Sequence, residues 1–175
     1  MRPAGETDPP GDPETVARAV CLRLLTDRAR TRAELAGALR RRGVPEPVTE
    51  QVLGRFSDVG LIDDAAFAEQ WVHSRHQSRG LGRRALATEL RRKGVDGEVA
   101  GRAVASLDRE QEQRRARELV DKRLRGVDAT DPKTVNRLVA MLARKGYPAG
   151  LAYQVVRDAL REHGAEDLPD EVDFD

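Results

Sequence analysis

The chain has 175 residues and a formal net charge of only +1, with one cysteine and a sparse set of aromatic side chains. A single cysteine excludes an internal disulfide and a thiolate zinc cluster, and no apolar run approaches the roughly 20 residues of a membrane-spanning helix. The near-neutral total hides a segregation: residues 1–14 carry one base and four acids (−3), residues 15–163 carry 30 bases and 20 acids (+10), and residues 164–175 carry six acids and no base (−6).

The opening MRPAGETDPPGDPE has no apolar core, so it does not read as a secretory signal. It and the acidic segment 164–175 are read as disordered tails, and the protein as cytoplasmic. Asp12-Pro13 is an N-cap followed by proline at the first helical position. The helix it opens carries Ala17, Val20, Cys21 and Leu24 at helical spacing, which makes Cys21 a small buried residue rather than a reactive thiol. Thr31-Arg-Ala-Glu34 has the pattern of a capping box and opens a second helix with Leu35 and Leu39. That helix ends at Gly43, and a third follows through Val48, Val52 and Leu53.

The same three-part layout then recurs. Asp63 or Asp64 caps a helix bearing Phe67 and Trp71. The loop Ser78–Gly82 lacks a Walker lysine and a preceding strand, so it is a helix stop, not a nucleotide cradle. Leu86 and Leu90 lead to Gly94, and Val95, Val99, Ala103 and Val104 follow. Asp108–Gln111 is a second capping-box pattern, opening a helix with Leu119, Val120 and Leu124. No Gly or Pro separates Arg102 from Arg125, however, so one bent helix there is the competing reading. Asp131-Pro132 repeats the Asp-Pro start, and Leu138, Leu142, Gly146, Tyr147, Leu151, Val155 and Val156 complete the series.

Gly43, Gly94 and Gly146 lie 51 and 52 residues apart, each with leucines four and eight positions earlier and apolar residues at matching positions after it. This is an internal repeat. It predicts an all-α protein of three tandem three-helix repeats packed into an elongated, curved molecule. The boundaries are 15–58, 59–107 and 108–163, between acidic tails 1–14 and 164–175. Leu39, Leu90 and Leu142 take core positions, as do Phe67 and Trp71, while the three glycines supply the left-handed residue that ends each second helix.

Before each of these glycines the sequence is basic: LRRRG, LRRKG, LARKG. Cations in the last turn of a helix complement its macrodipole, which is one sufficient explanation. The other is a repeated contact surface for a polyanion or an acidic protein face. The candidate contact residues are Arg40, Arg41, Arg42, Arg91, Arg92, Lys93, Arg144 and Lys145. The second unit adds Arg75, Arg79, Arg83 and Arg84; between residues 73 and 95 there are seven bases and a single acid, Glu89. His73 and His76, without a carboxylate or thiol at ligand spacing, are read as surface histidines, not as a metal site. No catalytic constellation, cofactor motif or aromatic stacking platform is evident.

The stretch GLIDDAAFAEQWVHSRHQSRGLGRRALATELRRKGV, residues 60–95, resembles the signature of the RecX family, bacterial regulators of the RecA recombinase. The matching positions are Gly60–Asp64, Phe67-Ala68, Trp71, Arg75, Arg79-Gly80, Gly82, Glu89-Leu90 and Lys93–Val95. The resemblance implies a non-enzymatic regulator that binds RecA filaments on DNA; the protein is read as a monomer. The resemblance also implies restraint of ATP hydrolysis, coprotease activity and strand exchange, with weak DNA binding that ignores sequence. The acidic C-terminal segment has no place in that pattern; it is either a solubilising tail or a competitor for the basic face. The alternative function is a helix-turn-helix-like DNA-binding regulator, for which the third helices offer few base-reading side chains: Gln51 and Arg55, Arg102, Gln154 and Arg157.

Overall fold

The computed structural model describes residues 11–164; the acidic tails read from the sequence fall almost wholly outside the described residues. Nine helices form among the described residues, and no strand. They are α1 (Pro13–Asp27), α2 (Arg32–Arg41), α3 (Glu46–Asp58), α4 (Asp64–Arg79), α5 (Arg83–Arg92), α6 (Gly97–Ala105), α7 (Arg109–Leu124), α8 (Pro132–Arg144) and α9 (Ala149–Glu162). The extensive packing is within successive triplets: α1 to α3, α4 to α6, α7 to α9.

Each triplet has its own apolar core. Leu35, Leu39, Val52, Leu53 and Phe56 close the first around Ala17, Val20 and Cys21. Phe67, Val72, Leu86, Leu90 and Ala103 close the second, and Val120, Leu138, Leu142, Tyr147, Val156 and Leu160 the third. Desolvation pushes the Cys21 thiol up to about 11, so at neutral pH it is a packing residue.

Local chemistry explains most element boundaries. Asp63 accepts a hydrogen bond from Ala66 N (3.0 Å) at the start of α4, and Asp131 accepts one from Lys133 N (2.9 Å) at the start of α8. Asp108 and Gln111 form a complete reciprocal capping box, which breaks residues 97–124 into two helices where no Gly or Pro does. Gly43, Gly94 and Gly146 take φ of 76°, 78° and 96°, the left-handed turn a helix C-terminus needs.

Three local expectations are corrected. Thr31 caps Glu34 N at 3.1 Å, but the Glu34 carboxylate faces Arg28 and Lys93 and does not return to the backbone. Asp12 starts α1 without a side-chain cap; its carboxylate accepts from the Thr15 hydroxyl. His76 is not a surface residue. It is 2% exposed, and its Nδ1 lies 2.7 Å from the Leu81 carbonyl, so it ties the end of α4 to the loop that leads into α5.

The three units meet end on, through the same joint used twice. Thr31 and Gly82 cap the second helices of units one and two, and each lies twelve residues before its own turn glycine, Gly43 or Gly94. The Thr31 hydroxyl donates to the Lys93 carbonyl (2.6 Å), and Gly82 N–H donates to the Lys145 carbonyl (2.8 Å). Each acceptor is the lysine immediately before the next unit's turn glycine. The following backbone N–H, on Arg32 or Arg83, is met by a carboxylate in the first turn of the next unit's first helix: Asp64 at 2.9 Å and Glu112 at 3.3 Å. Packing at both joints is tight, since a Cβ on Gly94 would collide with the Ala33 methyl, and one on Gly146 with the backbone and methyl of Ala85.

The two ends of the array differ. Gly43 has open space where a Cβ would project. In unit three the position equivalent to Thr31 is Thr134, and its hydroxyl donates to the Asp128 carbonyl of its own preceding loop (2.8 Å).

Candidate interaction surface

The recurring basic phrase therefore has a structural task in two of its three copies. Lys93 reaches back to Glu34 (3.2 Å) while its ammonium lies 4.9 Å from the centre of the Trp71 ring. Lys145 donates to the Arg79 carbonyl at 3.0 Å, a free carbonyl at the end of α4 of the kind a nearby cation satisfies. Tyr147, next to the third glycine, donates its buried hydroxyl to the Gly80 carbonyl (2.8 Å); burial pushes the phenol well above its ordinary range.

Phe67, Trp71, Arg75, Glu89 and Lys93, five of the positions that carry the resemblance, form one cluster. Phe67 and Trp71 stack with ring centres 5.7 Å apart. The Trp71 indole N–H donates to Glu89 (2.8 Å), and Arg75 holds the same carboxylate through Nε (3.0 Å) and Nη2. The Arg75 guanidinium lies 5.5 Å from the Trp71 ring centre, so two cations flank one indole. Glu89 is thus the hub of α4–α5 packing. The Arg75 hydrogen bonds hold its carboxyl below the ordinary glutamate range, with smaller help from Trp71 and from the charges of Arg75 and Arg92.

That depression has a direction in pH. Stability contributed by Glu89 is complete above the unfolded glutamate pKa and is lost as pH falls through the lower folded value. Glu89→Gln is expected to cost about 2 kcal/mol at pH 7. The wild-type advantage should shrink as urea titrations move from pH 7 into the acid range below the ordinary glutamate pKa. A gap that stays constant with pH would show that the charge of Glu89 is not what matters.

The candidate contact residues divide on these grounds. Arg75 and Lys93 are engaged as described. Arg83 pairs with buried Glu112 (3.4 Å) and donates to the Leu107 carbonyl, and Lys145 bridges units two and three. Arg40 has only a long exposed pair with Glu46 (3.9 Å), worth little in water. Arg91 bonds the Thr88 hydroxyl (3.3 Å), and Arg92 only adds its field at Glu89. Arg41, Arg42, Arg79, Arg84 and Arg144 are exposed and have no side-chain hydrogen bond or ion pair among the described residues. Arg84 is anchored by its backbone, which donates to the Gly146 carbonyl (3.2 Å); Arg79 supplies the carbonyl of the neighbouring Lys145–Arg79 bond, and Arg144 immediately precedes Lys145. Free guanidinium groups thus surround the joint between units two and three.

Nothing in the sequence marks Asp64 and Glu112 as the acids that complete the joints: Asp64 reads as an alternative cap of α4, a role Asp63 takes, and Glu112 as a solvent-facing first-turn residue. Glu89 stood out as the lone acid in a basic stretch. Arg115 was also missed: it crosses from unit three to donate to the carbonyls of His76 (3.2 Å) and Gln77 (3.0 Å). No cluster of metal-ligating side chains is present among the described residues, and none of their helices is long and apolar enough to cross a membrane.

Comparison with known proteins matches each triplet to a family model. Residues 17–56 match the first three-helix domain of RecX, 63–104 the second and 110–156 the third. The chain is 55% identical over 171 residues to the regulatory protein RecX of Streptomyces lividans, covering 96% of this chain and 91% of that one. It is 53% identical over 173 residues to its counterpart in Thermobifida fusca, covering 98% and 91%. The crystal structure of RecX from Lactobacillus salivarius superposes with a TM-score of 0.79 at 20% identity, over 86% of this chain and 98% of that one.

Proposed function

The chain belongs to the RecX family, and from that premise we propose that it binds RecA filaments on DNA. By binding it restrains their ATP hydrolysis, coprotease activity and strand exchange, without chemistry of its own. The observation that carries this reading is the division of the cations. One set is consumed in fixing the three units relative to one another, and a second set is left exposed on the body they build. Arg42 in unit one, Arg84 and Arg91 in unit two and Arg144 in unit three place such groups on every unit. Guanidinium groups suit carboxylates and phosphates alike, so a surface composed of both protein and DNA fits them. Several weak contacts made by one body add through linkage, with no single contact needing high affinity. A monomer is sufficient for this, and DNA alone is held weakly and without regard to sequence.

A helix-turn-helix reader of DNA is the less supported reading. Two of the third-helix arginines such a reader would need are already paired, Arg55 with Glu14 (2.6 Å) and Arg102 with Glu98 (3.5 Å).

Co-sedimentation separates the two. The protein should pellet with RecA filaments assembled on single-stranded DNA, and pellet much less with the same DNA alone at physiological salt. Because phosphate contacts release counterions, any binding to bare DNA should weaken steeply with salt. Equal recovery with bare DNA and with filaments would favour the DNA-binding reading.

A further inference from the structure

Unit three contains a cavity that the joints do not explain and that shares only Arg144 with the exposed cations proposed above. It has a volume of about 290 Å³ and opens between the end of α7 and the exposed side of α8, lined by Arg123, Val127, Thr134, Arg137, Leu138, Met141 and Arg144. The side chains of Arg123, Arg137 and Arg144 have no hydrogen-bond or ion-pair partner among the described residues. The nearby carboxylates are committed elsewhere. Asp121 pairs with Arg117 (2.9 Å). Asp128 caps Thr130 through both N–H (2.9 Å) and hydroxyl (2.6 Å), and Asp131 caps Lys133 N. The cavity thus has three uncompensated guanidinium groups around a floor of Leu138 and Met141, with Val127, 41% exposed, at its edge.

A ligand that satisfies both features carries carboxylates on either side of an apolar side chain. An inorganic anion would use the arginines and leave the floor wet. The sequence of this chain contains such a segment: EDLPDEVDFD, residues 166–175, alternates acids with Leu168, Val172 and Phe174.

Its point of departure also fits. Arg117 of α7 binds both Asp121 and Glu162, the last residue of α9. The described residues end at Gly164, two residues after Glu162 and so close to Arg117 of α7. From Arg117 to Arg123 is about 9 Å along the helix axis, and the eleven residues after Gly164 can reach about 36 Å.

We propose that the cavity between α7 and α8 is a peptide-binding site for the acidic, apolar C-terminal sequence Glu166–Asp175 of this same chain. Arg123, Arg137 and Arg144 take its carboxylates and Leu138 and Met141 an apolar side chain. The proposal does not depend on what the protein does to RecA. Its consequence is that the segment and an external acidic or phosphate-bearing partner compete for Arg144.

Met141 gives a direct probe, because the chain has two methionines and the other is Met1. With ¹³C-methyl methionine labelling of the full-length protein, the Met141 resonance reports the cavity. The four substitutions Asp167→Asn, Asp170→Asn, Glu171→Gln and Asp173→Asn should shift it. A synthetic peptide of residues 165–175, added to that variant, should return it to the wild-type position. Adding Arg137→Glu to the variant should weaken the peptide by about tenfold or more, as expected for loss of a charge-assisted contact. Coincident Met141 resonances in wild type and variant, or a resonance the peptide does not move, would overturn the proposal. So would a shift produced by a short oligothymidylate and not by the peptide, which would make the cavity a phosphodiester site.

Discussion

Alanine at Gly146 is expected to destabilise the protein by about 3–5 kcal/mol, while alanine at Gly43 costs about 1 kcal/mol. Both residues have positive φ, 96° and 76°, so both substitutions carry the left-handed penalty of an L side chain. They differ in what the new methyl group meets. At Gly43 it enters open space, and at Gly146 it meets the backbone N, Cβ and Cα of Ala85, at the first turn of α5. That collision cannot be relieved by turning a side chain. It must separate units two and three, stretching the bonds from Gly82 N–H to Lys145 and from Arg84 N–H to Gly146. Gly94→Ala is the informative intermediate, because its obstacle is chiefly the Ala33 methyl. Ala33→Gly should rescue part of that loss, offset by about 1 kcal/mol for glycine within a helix. Urea midpoints of the three single variants and the double variant test this ordering. Equal losses at Gly43 and Gly146 would mean that the turn glycines serve only their own helices.

Reversing three exposed arginines, Arg42→Glu, Arg84→Glu and Arg91→Glu, is expected to weaken inhibition of RecA by at least about tenfold, equivalent to some 1.4 kcal/mol. The cost in stability should be about 1 kcal/mol or less, from the unfavourable placement of acids in the last turn of α2 and α5. None of the three holds another element in place: Arg42 and Arg84 have no side-chain partner among the described residues, and Arg91 has only Thr88 of its own helix. Lys93→Glu is the contrasting substitution. It sets a carboxylate against Glu34 and removes a cation from the Trp71 face. Its effect on inhibition should therefore come with a fall in melting temperature and a change in the fluorescence of Trp71, the sole tryptophan. The triple variant should show neither.

The repeat was legible in the sequence because a helical unit leaves periodic marks: leucines at fixed distances from a glycine that only a left-handed turn requires. Triplet order, cores and most caps followed from those marks, while one helix or two across 97–124 stayed open until the structure showed the complete Asp108–Gln111 box. The joints were not legible. They consist largely of backbone donors and acceptors, such as Gly82 N–H and the Lys145 carbonyl, which every sequence supplies. The basic phrase was visible, but its division was not. Lys93 and Arg91 lie two residues apart, and only the approach of Glu34 from the preceding unit makes one a strut and leaves the other exposed. His76 was misread for a similar reason: its partner is the carbonyl of Leu81, a group with no signature of its own.

The most direct test of the account is DNA-dependent ATP hydrolysis by RecA from the same organism, titrated with the wild-type protein and, in parallel, with the folded Arg42/Arg84/Arg91 triple variant. Inhibition by the wild type, displaced to at least about tenfold higher concentration in the variant, is the predicted result. Hydrolysis unchanged by the wild type at any ratio, or inhibited equally by both proteins, would contradict it.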